Sequence, residues 1–190
     1  MKKIISLLLS AATLFLLVSC SNGDEAPDGY KIASNSEACA YTLFVPENWV
    51  TSAGENKTDY TMATVANADR CNVSLSVVSD VESGATFEEF WAAQEAQYKA
   101  LFPDGFTVEK TGETVKVGSL NGIRCIYTAS FGGKQYKFMQ VFVPRSTVFT
   151  AKLYAFTYTA SLDKVEGKDV THYDEHLETV NEILSYVNWD

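Results

Sequence analysis

The sequence predicts an α+β fold, with an antiparallel sheet of about six or seven strands sandwiched between helices. Three observations carry this prediction. Within residues 120–161, three apolar-rich runs (123–131, 135–143 and 148–159) are broken by Gly132-Gly133 and by Pro144-Arg145-Ser146. Gly-Gly between two such runs signals a two-residue hairpin, because both turn positions need positive φ and glycine supplies it without a Cβ clash. The runs are also apolar on both parities: Met139, Val141 and Val143 oppose Tyr136, Phe138 and Phe142, while Tyr154, Phe156 and Tyr158 oppose Phe149, Leu153 and Ala155. A sheet with one wet face alternates strictly, so both faces here need cover, from three layers or from a dimer that supplies the third. Two further segments, 86–101 and 169–187, carry a helical period.

In chain order, residues 1–19 read as an export signal. Lys2 and Lys3 form a basic start, and residues 4–18 an apolar stretch shorter than a spanning helix of about 20 residues. The stretch ends Leu17-Val18-Ser19-Cys20, which resembles the lipobox of bacterial lipoproteins. That resemblance implies a diacylglycerol thioether on Cys20, cleavage just before it and acylation of the new amino terminus, so the bilayer is the expected first partner. Several acyl chains at about 0.8 kcal/mol per buried methylene make such attachment permanent in practice. Residues 20–37 are rich in Ser, Asn, Asp, Gly and Pro and read as a flexible tether, leaving 38–190 as a single domain.

Residues 39–45 read as the first strand, stopped by Pro46-Glu47-Asn48-Trp49, with Trp49 folding back on the sheet edge. Residues 58–65 and 71–78 read as the next two. Thr86-Phe87-Glu88-Glu89 then matches a capping box, in which the threonine hydroxyl accepts from the Glu89 amide and the glutamate reaches back. Phe87, Trp91, Gln94, Tyr98 and Leu101 form one stripe of this helix, and Pro103-Asp104-Gly105 ends it. Residues 106–117 predict one or two shorter strands bent at Thr111-Gly112, and Asn121-Gly122 a turn into the meander.

The closing helix spaces Tyr173, Leu177, Val180, Leu184 and Val187 by four, three, four and three. Its start, His172-Tyr173-Asp174-Glu175-His176, matches the letters H-x-x-E-H of inverzincin metalloproteases, where two histidines bind zinc and the glutamate acts as base. A third ligand is expected far downstream in that family, and only fourteen residues follow His176. The histidines flank the apolar stripe beside Glu175, Glu178 and Glu182, as on a solvated helix edge. A zinc hydrolase through His172 and His176 is therefore the weakest reading, and no cofactor is expected.

With Cys20 acylated, Cys39, Cys71 and Cys125 remain, an odd number outside the cytoplasm. All three share strand parity with apolar neighbours and read as buried free thiols, although a Cys39–Cys71 bridge stays open. No nucleophile elbow, phosphate loop, dinucleotide fingerprint or Cys-x-x-Cys is present. The formal charge is −9, and loss of residues 1–19 leaves 13 basic against 24 acidic groups, or −11, which argues against nucleic-acid binding.

The ordered features resemble the PsbP/DcrB-like family. The residues that carry the resemblance are Phe44-Val45-Pro46-Glu47-Asn48-Trp49, Thr86-Phe87-Glu88-Glu89-Phe90, Tyr154-Ala155-Phe156-Thr157-Tyr158-Thr159 and Ile183-Leu184-Ser185-Tyr186. Asn48 stands where that family usually has glycine. The resemblance implies a PsbP-like α/β/α sandwich over about residues 39–188. It also implies a docking or assembly role, since members include exported lipoproteins, a photosystem II extrinsic subunit and a Ran-binding import factor.

The resulting expectation is a membrane-anchored extracytoplasmic lipoprotein, acting as a non-catalytic binding or assembly module toward a protein or glycan partner. The alternative is a small-molecule or glycan carrier, with a pocket between sheet and first helix near Trp49, Trp91 and Tyr98.

Overall fold

The computed structural model describes residues 25–33, 41–53, 60–65, 72–80, 86–146 and 151–189. The expected signal segment, Cys20, Cys39 and Cys71 lie outside the described residues. Strands β1 (Tyr30–Ile32), β2 (Tyr41–Thr42), β3 (Phe44–Pro46), β4 (Val50–Ala53), β5 (Tyr60–Thr64) and β6 (Asn72–Asp80) precede helix α1 (Phe87–Leu101). Then come β7 (Thr107–Val117), β8 (Leu120–Phe131), β9 (Lys134–Ser146), β10 (Ala151–Ser161), helix α2 (His172–Tyr186) and β11 (Asn188–Trp189). Seven strands form one antiparallel sheet in the order β4-β5-β6-β10-β9-β8-β7, and β1-β3 and β11-β2 make two small two-stranded sheets.

Gly132 and Gly133, at φ 61 and 76, close the β8–β9 hairpin, and Phe131 pairs with Lys134 across them. The two-faced burial is present and the parities hold among the described residues, outside which Phe149 lies. On the α2 side, Met139, Val141 and Val143 join Tyr154, Phe156 and Tyr158 in a core completed by Tyr173, Val180, Ile183 and Leu184. On the α1 side, Phe142, Leu153 and Ala155 pack with Cys125, Tyr127 and Trp91. The fold is thus an α+β sandwich with helices on both sides of the sheet.

Several boundaries differ from expectation, each for a local reason. Tyr30–Ile32, assigned to the tether, forms β1 against Phe44–Pro46, and the Tyr30 hydroxyl donates to Glu182 Oε2 at 2.6 Å. The domain therefore begins before residue 38. The turn into β8 is Gly118-Ser119 instead of Asn121-Gly122. Gly118 has φ +53, its N–H donates to the Leu184 carbonyl, and a Cβ there would lie 1.8 Å from the Val187 carbonyl oxygen, so only glycine fits beneath the end of α2. Pro144-Arg145-Ser146 does not break the strand, because β9 pairs on through it with Leu153, Lys152 and Ala151 of β10. The β8 pairing has by then ended at Ile123 opposite Phe142, so proline sits where one flank is open.

Residues 106–117 give one long strand whose register shifts between Val108 and Glu113, and Gly112 takes positive φ there. The capping box on α1 is formed as the sequence predicts. Helix α2 starts at His172, three residues later than expected, because the Thr171 side chain caps it by accepting from the Asp174 amide.

Candidate functional site

The three aromatics expected to share a pocket do not meet. Trp49 is held by the turn from Pro46, with its N–H donating to the Pro46 carbonyl, and Lys31 Nζ donates to its carbonyl at 2.6 Å. It is buried in the α2-side core. Trp91 and Tyr98 lie across the sheet from it, in the α1-side core. The sheet itself separates the two groups, so the expected carrier pocket is corrected.

On the α1 side the rings are used to hold the helix. Trp91 lies 6.1 Å from Tyr127 and 6.2 Å from Phe142, and Tyr98 stacks on Tyr127 at 5.1 Å. The Tyr98 hydroxyl and the Gln140 amide bond to each other, and Gln140 Nε2 also donates to Thr157 Oγ1 at 3.2 Å. Burial pushes the Tyr127 phenol far above its ordinary range, so it stays protonated. Cys125 is a free, buried thiol pushed up to about 11 by desolvation, which keeps it from acting as a nucleophile near neutral pH.

A cleft of about 550 Å³ opens where this ring layer reaches the end of α1. One wall is the helix terminus, Leu101 through Asp104; the other is Ser130, Phe131 and Phe138 beside the β8–β9 hairpin. Phe102 lies 5.9 Å from Phe131 and 6.5 Å from Phe138, so the floor is continuous ring surface. Leu101, expected on the buried stripe, is 66% exposed. The reason is the cap: Phe102 leaves the helix at φ −124 and ψ 64, and turns its own ring onto the sheet in place of Leu101. Asp104 is exposed and makes no ion pair among the described residues. Sequence reasoning missed this cleft. The available signal was Phe102-Pro103-Asp104-Gly105 facing Phe131-Gly132-Gly133, two turn-bearing segments that each carry an aromatic.

The histidines sit on α2 away from the cleft. His176 is not on a solvated edge as expected: its ring meets Trp49 edge-on at 6.2 Å and 87°, and desolvation lowers its pKa despite Glu175 alongside. His172 Nδ1 is buried without a hydrogen-bond partner among the described residues. Glu175 bonds to Lys168, which holds its carboxyl below the ordinary range. Among the described residues no group of three His, Cys, Asp or Glu side chains is placed to hold a metal ion. A charged network also lies on the α2 side, where Arg124 and Lys110 share Glu113, and Lys137 pairs with Glu109 at 2.7 Å and covers the Tyr173 ring.

No protein-family model and no curated protein sequence matches the chain. Solved structures do. LpqN of Mycobacterium tuberculosis, described as involved in cell envelope biogenesis, aligns at 13% identity and a TM-score of 0.52, covering 78% of this chain and 82% of that one. The Ran-binding protein Mog1p of Saccharomyces cerevisiae aligns at 9% identity and a TM-score of 0.54, covering 84% and 95%. At these identities the likeness is one of fold, and it is the fold that the PsbP-like resemblance implies.

Proposed function

We propose that the chain is a lipid-anchored, extracytoplasmic, non-catalytic binding module. The observation that carries the binding part is the α1-end cleft, whose lining is ring and aliphatic surface with one hydroxyl and one carboxylate. That lining suits recognition, because most of it is apolar surface that gains by being covered. The side chains that suggested chemistry are occupied elsewhere: His176 against Trp49, and Glu175 with Lys168. The anchoring part rests on Leu17-Val18-Ser19-Cys20 and on the polar residues that follow. The envelope association of LpqN agrees with this location without establishing it.

The experiment is metabolic labelling with an alkyne-bearing palmitate analogue, followed by fractionation of the parent chain and of Cys20→Ala. The parent is expected in the membrane fraction and labelled, with the variant unlabelled. Exported parent protein with an unmodified Cys20 thiol would remove the anchor from the proposal.

A further inference from the structure

The cleft at the end of α1 has three properties that narrow what it takes. First, it leaves a large apolar side chain in water: Leu101 is 66% exposed at the rim, although it stands on the stripe that buries Trp91. Second, its floor is rigid, because Phe102 rests on Phe131 and Phe138, and these in turn stack on Tyr136 at 4.1 Å and Tyr127 at 4.8 Å. A surface already ordered in this way loses little entropy when a partner covers it. Third, its charge is unbalanced. Asp104 finds no cation among the described residues, whereas Lys134 on the neighbouring hairpin is engaged by Asp163 at 3.4 Å.

We propose that this cleft docks a basic peptide segment of a partner protein, with one aromatic or large aliphatic side chain on Leu101 and Phe102 and an adjacent Lys or Arg on Asp104. The inference deepens the binding-module reading and rests on it. A small molecule fits less well, because small-ligand sites enclose most of the ligand's surface and this cleft lies open beside an exposed hairpin tip. An anionic membrane surface fits less well too. The body of the chain is strongly acidic, and Tyr30, where the chain arrives from its amino terminus, is fixed to Glu182 and Tyr186 on the opposite, α2 side. A cationic segment is attracted by the same field and gains a specific contact at Asp104.

The test is selection of a random heptapeptide phage library on the full chain in detergent micelles, repeated on Leu101→Ser and Asp104→Asn. Both side chains are exposed, so both variants keep the parent melting temperature and report on binding alone. Enriched peptides are expected to carry Phe, Tyr, Trp or Leu close to Lys or Arg. A synthetic copy of the dominant peptide should lose about tenfold in affinity on Leu101→Ser, for the apolar contact removed. It should lose up to about fivefold on Asp104→Asn, with this second loss shrinking at high salt. Absence of enrichment, enrichment without basic residues, or unchanged affinity on both variants overturns the proposal. Enrichment that ignores both substitutions leaves the binding-module reading intact and moves the site elsewhere, so the two failures are distinguishable.

Discussion

The two faces of the sheet are covered by helices of equal length, and they are held in different ways. Helix α2 is fastened by directional bonds to its backbone, from the Tyr158 hydroxyl to the Tyr173 carbonyl at 2.8 Å and from the Gly118 amide to the Leu184 carbonyl, and β11 after it is tied to β7 by Trp189 Nε1 donating to the Val117 carbonyl at 2.9 Å. Helix α1 rests on rings. Its one buried side chain is Trp91, whose Nε1 is buried without a partner among the described residues, and its polar link to the sheet runs through Tyr98 and Gln140. A hydrogen bond leaves a penalty when one partner is left buried and unpaired, whereas a ring contact contributes chiefly through the area it buries. The comparison teaches where function can be accommodated: the stitched face is scaffold, and the stacked face ends in the open cleft.

The largest expected effect tests the stitched face. Gly118→Ala forces an L side chain into positive φ and onto the Val187 carbonyl, for a cost of about 3 kcal/mol from backbone strain and overpacking together. Gly132→Ala has the same strain with open space around it, so it should cost only about 1 kcal/mol. Chemical denaturation of both variants checks the difference; equal losses would mean that the contact between the β7–β8 turn and α2 is not what makes glycine necessary.

Next comes a matched pair across the sheet. Tyr158→Phe removes the hydroxyl that supplements the intrahelical bond of the Tyr173 carbonyl and should cost about 1 kcal/mol. Trp91→Phe removes an indole N–H that has no partner, so its cost comes only from lost ring area and should stay under about 1.5 kcal/mol. Denaturation midpoints measure both, and a Tyr158→Phe variant as stable as the parent would break the contrast drawn here. Native-state hydrogen exchange sharpens it, with α1 amides expected to open at lower free energy than those of α2.

Much of this architecture was legible in the sequence because hydrophobic parity is a strong signal. Met139, Val141 and Val143 against Phe138 and Phe142 gave the two-sided sheet, Thr86 and Glu89 gave the start of α1, and Gly132-Gly133 gave the hairpin. What was not legible depended on partners distant in sequence. Asn121-Gly122 looked like a turn, yet Gly122 is needed inside β8 because a Cβ there would press 2.6 Å from Val141 Cγ1. The requirement at Gly118 comes from Val187, and β1 forms because Phe44–Pro46 offers it a free edge. The cleft was hidden for the same reason. A stripe leucine reads as core until the cap geometry of Phe102 shows that the next ring has taken its place.

The smallest expected effect concerns His176, and it separates scaffold from switch on the stitched face. Its pKa is lowered from 6.5 chiefly by desolvation, with His172 and Lys168 adding to the shift and Glu175 opposing it. The folded chain therefore binds a proton there less readily than the unfolded chain does. The contribution to stability is present in full above pH 6.5 and is lost as the pH falls from there through the lowered folded-state value. Glu175 is also depressed, by Lys168, but its loss begins only below 4.5. Melting temperatures of the parent chain should thus decline between neutral pH and pH 5, and His176→Gln should flatten that decline while leaving the slope below 4.5 in place. An unchanged decline in the variant would assign the acid sensitivity to other groups and leave the imidazole as a packing element against Trp49. Peptide binding at the α1-end cleft should not follow this titration, because the sheet stands between His176 and Asp104.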